Sequence, residues 1–307
     1  MQIRFPGDWY IERLTHDEIH GHLVGRRVAR IRTRYQVAEI VDTRDYGRCL
    51  FLDGLVQSTE IDEFVYHESM IHPALLFHPD PRRVFIGGGG EGANLRELVK
   101  HSGLKEIVMV DIDEQVVGLA RKYLWKWHRG SYEDPRVKLH FRDARDFLIM
   151  DKTKYDCIYL DLCDPGEGGP AQKLFTVEFY RLLRRRLTPG GLAVIQAGSA
   201  DFNMAWGFSG VYKSLLKAFR LVLPYFVTVP SFIGPWAFFL VRNEPWGRGD
   251  GQATIARRFK QRKLEGQLRF YDPEVHRAAF TLPPCFVEML AQGKPITERG
   301  LLRVKRS

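Results

Sequence analysis

Glycines or a carboxylate follow four successive apolar runs in the middle of the chain. Gly88 to Gly92 follow the first run, and Asp111, Asp143 and Asp161 follow the next three. The carboxyl ends of parallel strands meet at one edge of a sheet, and ligands bind there. A single Asp in such a place is usually a helix N-cap or a loop residue. Four such groups in series predict a ligand site at one rim.

The glycine loop, Gly87 to Gly92, carries the carboxylate Glu91 within it. Glycines let the backbone approach a ligand closely, and alone they would also fit a dinucleotide. A carboxylate at a helix N-terminus would repel a pyrophosphate seated there, since two unit charges ~4 Å apart interact by ~4 kcal/mol near a protein surface. The loop, with Gly88 and Gly90 at the ligand, therefore predicts a phosphate-free, positively charged ligand such as an S-adenosyl compound. Asp111 would accept the ribose hydroxyls, and Asp143 with Ala144 would face the adenine amino group.

A second acidic segment runs from Asp161 to Pro170. Asp161, Asp164 and Glu167 lie within a loop rich in Gly and Pro, which is long enough to act as a lid. An Asx turn followed by a flexible connection would explain the loop, but it would not explain the density of acids. A negative patch in a basic protein favours a cationic substrate.

The elements that position these groups alternate between strand and helix. From Arg83 onward, short apolar strands are separated by helical segments, which predicts parallel pairing with right-handed crossovers. We expect a Rossmann-like S-adenosyl-binding sheet over residues 79–250. Leu221 to Val229 and Ala237 to Val241 would be antiparallel edge strands.

The flanking segments predict two smaller units. Residues 22–60 read as short β-strands with a hairpin at Asp53-Gly54, and Ile61 to Phe77 has helical periodicity. We assign residues 1–78 to an N-terminal antiparallel β domain with a connecting helix. Residues 251–307 form a basic, mostly helical appendage in this prediction.

Composition sets limits on the class of protein. The chain of 307 residues is 45% hydrophobic and 27% charged, which is typical of a globular protein. It has no apolar run long enough for a membrane span and no signal peptide at its start. Four scattered cysteines, without a CxxC pair, fit a cytoplasmic location. The net charge of +9 comes largely from basic runs that resemble solvated helix faces, so we expect no nucleic-acid partner.

One pair of histidines resembles the two histidine ligands of a zinc-binding helix. His67 and His72 are five residues apart, which places them about 140° apart around a helix. They cannot share one metal ion, and we predict neither a metal nor a prosthetic group.

Four segments together resemble the polyamine aminopropyltransferases, that is, spermidine synthase and its relatives. They are Gly88 to Gly92, Leu52 to Thr59, Asp62 to Glu68 and the Asp-x-x-Asp-Pro stretch that begins at Asp161. The resemblance covers roughly residues 22 to 245. It implies an N-terminal β domain on a Rossmann-like core, assembled as a homodimer or homotetramer. It also implies decarboxylated S-adenosylmethionine as co-substrate and a polyamine as acceptor.

The resemblance also implies roles for particular residues. Asp161 would take the proton of the attacking amine, and Asp164 would hold the amine substrate. The donor would be bound by Gln36, His67, Glu91, Asp111, Asp143, Ala144 and Pro170. Tyr66 would be an aromatic on the amine side, where we also place Gln57, Glu167 and Phe232.

Three departures from the family pattern bear on the acceptor. Glu91 stands where most spermidine synthases have Asp, and the lid carries an extra Glu-Gly dipeptide. Both features resemble those of thermospermine synthases. The glutamate also occurs in some triamine or agmatine aminopropyltransferases. Phe232 replaces a family tyrosine whose hydroxyl contacts the amine. Spermidine, giving thermospermine or spermine, is therefore the favoured acceptor, with putrescine and agmatine as alternatives.

Two other classes of protein share parts of this pattern. A methyltransferase that uses S-adenosylmethionine would have the same sheet, although Glu91 would crowd the carboxylate of that donor. A nucleic-acid-binding protein would use the basic appendage instead, and its duplex binding would depend steeply on salt.

Overall fold

The computed structural model describes residues 6–163, 171–203, 206–245, 247 and 250–301. Within them the chain forms two sheets, one of five strands and one of seven. The fold class expected from the sequence is confirmed. In the described part of the chain, no helix combines the length and the apolar character that a membrane crossing requires.

The N-terminal sheet is an antiparallel meander whose strands lie in chain order. Its strands are β1 (Trp9–Arg13), β2 (Ile19–Arg32), β3 (Val37–Thr43), β4 (Gly47–Leu52) and β5 (Leu55–Thr59). Asp53 and Gly54, between β4 and β5, have φ angles of +48° and +85°. A tight hairpin needs such angles at both central residues, and the predicted hairpin lies at this turn. Strand β1 was not predicted, because its sequence, three apolar residues followed by two charged ones, does not alternate.

The larger sheet has the order β11-β12-β10-β9-β6-β7-β8. Its strands are β6 (Arg83–Gly88), β7 (Glu106–Asp111), β8 (Val137–Phe141), β9 (Tyr155–Asp161), β10 (Leu187–Ser199), β11 (Leu221–Val229) and β12 (Gly234–Arg242). Pairing is parallel from β10 to β8, and β12 is antiparallel to both β10 and β11. The parallel core and the antiparallel edge both agree with the prediction.

Helices cover both faces of this sheet and form the C-terminal segment. They are α1 (Glu63–Phe77), α2 (Ala93–Val99), α3 (Glu114–Tyr123), α4 (Trp125–His128), α5 (Ala144–Met150), α6 (Val177–Arg186), α7 (Trp206–Leu216), α8 (Gln252–Gln261), α9 (Pro273–Ala279) and α10 (Pro284–Gln292). Helices α5 and α7 were not predicted. The first has only seven residues, and the second contains Gly207 and Gly210, which lower helix propensity.

Two hydrophobic cores lie on opposite faces of the larger sheet. Val84 and Ile86 point into one core, while Phe85 between them points into the other, as alternation along a strand requires. The first core also contains α1 and residues of the C-terminal segment such as Ile255 and Phe259. Helix α1 and the C-terminal segment therefore share one core with the larger sheet. The domain boundaries predicted at residues 78 and 250 stay predictions.

The C-terminal segment is fastened to α1 by polar contacts. Arg258 donates to the carbonyl oxygens of Leu76 (2.8 Å) and Phe77 (2.5 Å), and Arg262 donates to that of His78 (2.7 Å). The last carbonyls of a helix lack partners within the helix. These two arginines therefore complete the C-terminal end of α1.

Candidate active site

The glycine loop and the acids predicted to share a rim do lie together. Gly88, at the end of β6, pairs directly with Asp161 at the end of β9. On the other side, Asp111 ends β7 beside Phe141 of β8, and Asp143 follows two residues later. The register of parallel strands therefore brings together the groups that the sequence separates by up to 73 residues.

Gly88 shows why this loop needs glycine. Its φ is +85°, and a Cβ atom there would lie 1.9 Å from the carbonyl oxygen of Asp161. At Gly92, φ is +80° and a Cβ would lie 2.6 Å from the ring of Tyr132. The hydroxyl of Tyr132 donates to the carbonyl of Gly90 at 2.6 Å. The loop is thus held against β9 on one side and against Tyr132 on the other.

Asp161 is held by two donors from different helices. The hydroxyl of Tyr66 in α1 donates to Oδ1, and the side-chain amide of Asn94 in α2 donates to Oδ2 at 2.6 Å. Burial and the negative charge of Glu91 raise the pKa of Asp161 to about 6, although His67 and the two donors act in the opposite direction. A carboxyl group with this pKa is ionised at neutral pH but can accept a proton readily.

Glu91 is paired with a histidine of α1. Its Oε1 lies 2.8 Å from Nε2 of His67, whose Nδ1 lies 3.0 Å from Oε2 of Glu63. Burial alone would lower the pKa of His67, but the hydrogen bonds to both glutamates raise it to about 10. His67 is therefore an imidazolium at neutral pH.

The chain of buried charges continues away from the cavity. Arg96 of α2 binds Glu63 through two hydrogen bonds of 2.7 and 2.9 Å, and it donates to Glu97 at 2.8 Å. Glu97 lies 2.9 Å from Nε2 of His72. The formal charges of Glu63, His67, Glu91 and Arg96 cancel. The negative field at the rim therefore depends more on Asp161 and Asp111, and less on Glu91, than the sequence argument assumed.

Asp111 lies directly behind the glycine loop. A Cβ atom at Gly90 would be 2.9 Å from its Oδ2, and its Oδ1 accepts the backbone N–H of Asp113 at 2.8 Å. Burial raises its pKa to about 7, helped by Glu91 and opposed by the N–H of Asp113. A partner that donates hydrogen bonds, such as a pair of hydroxyl groups, would stabilise its ionised form.

One cavity of about 830 Å³ opens at this rim, between the two sheets. Most of the predicted residues line it: Gln36, Gln57, Tyr66, Gly88, Gly90, Glu91, Asp143, Ala144, Asp161 and Phe232. His67 and Asp111 lie behind this wall, each next to a lining residue. Asp143 also caps α5 through Oδ1, which accepts the N–H groups of Arg145 and Asp146 at 2.7 and 3.0 Å. Asp164, Glu167 and Pro170 lie outside the described residues.

Sequence reasoning missed several residues of the site. Asn94 binds Asp161, and its place in the first turn of α2, just after the glycine loop, was the available signal. Trp236 lines the cavity beside Phe232, with ring centroids 4.5 Å apart. Residues 11–16, from β1 and the following loop, form the far wall. No signal in the sequence could place that wall, because β1 itself was not predicted.

Comparison with known proteins agrees with this geometry. The family model described as "Spermine/spermidine synthase domain" matches residues 63–246, and the one described as "Spermidine synthase tetramerisation domain" matches residues 9–60. The chain is 40% identical to a polyamine aminopropyltransferase of Sulfurisphaera tokodaii over 95% of its own length and 96% of the relative. It is also 40% identical to polyamine aminopropyltransferase 2 of Hyperthermus butylicus, over 91% and 90% of the two chains.

Solved structures give the same answer. A spermidine synthase in complex with the transition state analogue AdoDATO superposes with a TM-score of 0.86 and 28% identity, covering 94% of this chain and 96% of the other. Spermidine synthase from Thermotoga maritima has a TM-score of 0.83 and 27% identity, covering 94% and 95%. The chain therefore belongs to the spermine/spermidine synthase family and is an aminopropyltransferase.

Proposed function

We propose that the enzyme transfers the aminopropyl group of decarboxylated S-adenosylmethionine to spermidine. The products would be thermospermine or spermine, together with methylthioadenosine. The observation that carries the proposal is Asp161, a carboxylate held by Tyr66 and Asn94 beside the glycine loop. The structural relative bound to a transition state analogue supports the choice of donor.

The donor would lie along the rim formed by β6, β7 and β8. Asp111 would accept the ribose hydroxyls, and Asp143 and Ala144 would face the adenine. Gln36, which lines the same cavity, would also contact the donor. Glu91 would face the positively charged part of the donor, and His67 would hold Glu91 in that orientation. Pro170 is assigned to the donor by family resemblance alone.

The reaction would be a direct displacement at the aminopropyl carbon next to the sulfonium. The amine lone pair forms the new C–N bond as the C–S bond breaks, and methylthioadenosine leaves without charge. An alkylamine with a pKa near that of lysine, ~10.4, is almost fully protonated at pH 7. Asp161 would accept the proton, and the adjacent sulfonium would lower the amine pKa. Positioning the two substrates would supply much of the rate enhancement.

The acceptor would occupy the part of the cavity that reaches the N-terminal sheet. Tyr66, Phe232 and Trp236 form an aromatic wall there, and Gln57 lies on the same cavity. Aromatic faces attract alkylammonium groups. A cavity of about 830 Å³ is near the upper end of the usual range for small-molecule sites, which suits a donor held beside an extended triamine. Asp164 and Glu167 are assigned to the amine by sequence alone.

The test is to supply decarboxylated S-adenosylmethionine with putrescine, agmatine or spermidine and to separate the products by chromatography with mass detection. We expect the highest kcat/KM with spermidine. A preference for putrescine or agmatine would replace the proposed acceptor and leave the aminopropyl transfer standing. Methylated products from S-adenosylmethionine itself would instead favour a methyltransferase.

The proposal extends to the assembly, the location and the absence of nucleic-acid binding. Because residues 9–60 match a tetramerisation domain, we expect a homotetramer or homodimer, which light scattering would distinguish, and a cytoplasmic location. Nucleic-acid binding is disfavoured by the engagement of Arg258 and Arg262 with α1, since these side chains are not available to phosphates.

A further inference from the structure

A cluster of potential metal ligands lies on the first two strands of the N-terminal sheet. His20 and His22 are two residues apart on β2, so both side chains project from the same face. Glu12 on β1 is the direct cross-strand neighbour of His20. The antiparallel register thus brings one carboxylate and two imidazoles together without help from any loop.

The distances within this cluster suit a single small cation. Oε1 of Glu12 lies 3.3 Å from Nδ1 of His20 and 2.5 Å from Nε2 of His22. All three atoms lie within 4.8 Å of one another. Zinc binds histidine nitrogen and carboxylate oxygen at about 2.0–2.2 Å, and tetrahedral geometry then separates the ligand atoms by about 3.4 Å. The contact between Glu12 and His20 already has about this length, and the one between Glu12 and His22 would have to widen.

The surroundings favour a ligand at His20. Its Nδ1 atom is buried and lies 3.3 Å from Oε1 of Glu12, but it makes no well-aligned hydrogen bond among the described residues. Buried polar atoms nearly always have a partner, so this one needs an explanation. The other oxygen of Glu12 accepts the N–H of Val56 at 2.5 Å. That bond orients the carboxylate, as outer hydrogen bonds do around metal ligands.

We propose that Glu12, His20 and His22 bind one divalent transition-metal ion, with zinc as the best match to two imidazoles and a carboxylate. The imidazole of His20 is 22% exposed, whereas the side chains of Glu12 and His22 are each 1% exposed. Water can therefore complete the coordination from the side of His20. The ion would join β1 to β2.

The position of this site connects it to the cavity. Glu12 also lines the cavity, together with the neighbouring residues 11 and 13–16. Strand β1 is the five-residue edge strand of its sheet, and among the described residues it pairs with β2 alone. A bound ion would fix β1, and with it the far wall of the cavity. Its role would be structural, since Asp161 lies at the rim of the other sheet.

The experiment uses the full-length enzyme after treatment with a chelator and gel filtration. Cobalt(II) replaces zinc as a visible probe, and the d–d absorption is followed during titration. We expect saturation at one equivalent per chain, displacement by zinc, and a rise in Tm with either ion. Absence of saturable binding at micromolar concentrations would overturn the proposal.

Variants then locate the ion. Losing an outer partner of a metal ligand costs about 10–100-fold in affinity, so His20→Ala, which removes a direct ligand, should weaken binding at least about 100-fold. His20 is partly exposed, and circular dichroism would verify that the variant folds. Glu12→Gln provides a second, nearly isosteric change. His140→Ala removes an exposed histidine of β8 and should leave the affinity unchanged.

The experiment must also distinguish this site from a second group of possible metal ligands. His67, Glu91 and Asp161 also place three ligand atoms within 4.8 Å. Asp161→Asn should leave cobalt binding intact if the ion lies at Glu12. Binding that survives in His20→Ala but is lost in Asp161→Asn would assign the ion to the catalytic rim and refute the proposal.

Discussion

The side-chain amide of Asn94 lies 2.6 Å from Oδ2 of Asp161, while Tyr66 donates to the other oxygen of the same carboxylate. Each carboxylate oxygen has two lone pairs, so both oxygens can still accept a proton. The two donors come from α1 and α2, whose mutual packing therefore fixes the direction of the carboxylate. The carboxylate that we propose as the base is therefore oriented before any substrate arrives.

Replacing Asp161 by Asn tests its role as the base. The amide has nearly the same shape and its oxygen can still accept from Tyr66, but it cannot take the amine proton. We expect turnover to fall about 10²–10⁴-fold with little change in methylthioadenosine affinity. Asp146→Asn, the same charge change on an exposed part of α5, should keep full turnover. A variant of Asp161 within threefold of the wild type would exclude the base role.

The pH dependence follows from the raised pKa of Asp161. The base acts when ionised, so kcat/KM should rise with pH through an apparent pKa of about 6, since this parameter reports the free enzyme. In the ternary complex the cationic substrates stabilise the carboxylate, and the corresponding limb of kcat should lie at lower pH. Profiles measured from pH 4.5 to 9 would check both statements. A kcat/KM that declines as pH rises from 5 to 7 would contradict them.

Glu91→Gln separates charge from shape at the donor site. Because His67 already balances part of the charge of Glu91, we expect only about a tenfold loss, or ~1.4 kcal/mol, in affinity for decarboxylated S-adenosylmethionine. Methylthioadenosine lacks the positive charges and should bind with nearly unchanged affinity. Isothermal calorimetry with both ligands measures the difference. Equal losses for the two would mean that Glu91 acts through shape alone.

Phe232→Tyr tests the choice of acceptor. Phe232 packs against Tyr66 and Trp236, with ring centroids 5.8 and 4.5 Å apart. A hydroxyl added to this wall would give a short diamine a hydrogen-bond partner, which is worth about 1 kcal/mol. We expect kcat/KM for putrescine to rise several-fold relative to that for spermidine. An unchanged ratio, measured by competition, would show that Phe232 does not select the acceptor.

Arg96→Leu tests the buried charge network. Removing one partner of a buried ion pair leaves uncompensated charge and typically costs about 3–5 kcal/mol. Arg96 binds both Glu63 and Glu97, so the free energy of unfolding in urea should fall by at least that amount. Arg277→Leu breaks the exposed pair with Glu274 and should cost less than about 1 kcal/mol. Comparable losses in the two variants would contradict the role assigned to the network.

The rim of the site could be predicted because the residues that form it are recognisable from their immediate neighbours in the sequence. Each rim residue follows a recognisable apolar strand, and the rule for parallel sheets places strand ends together. The hairpin at Asp53-Gly54 was likewise predictable from two adjacent residues. Such features need no knowledge of distant contacts.

The partners of those residues could not be predicted in the same way. Helix α1 is buried on almost every side, so its apolar periodicity did not reveal that His67 faces Glu91 while Glu68 faces the C-terminal segment. Glu68 accepts the N–H groups of Arg269, Phe270 and Tyr271 at 2.8–2.9 Å. Contacts of this kind depend on how helices pack, and the sequence pattern does not encode that directly.

Helix α1 carries Tyr66 at one end and meets Arg258 and Arg262 at the other. A minimal catalytic fragment cut to residues 63–246, the span of the matched synthase domain, would lose the donors that close this helix and the side chains that fill the core beside it. Tyr66, the proposed amine-side aromatic residue, would then lie on a helix whose C-terminal end frays. A shortened enzyme should therefore keep the C-terminal segment through at least Tyr271, and residues should be removed elsewhere.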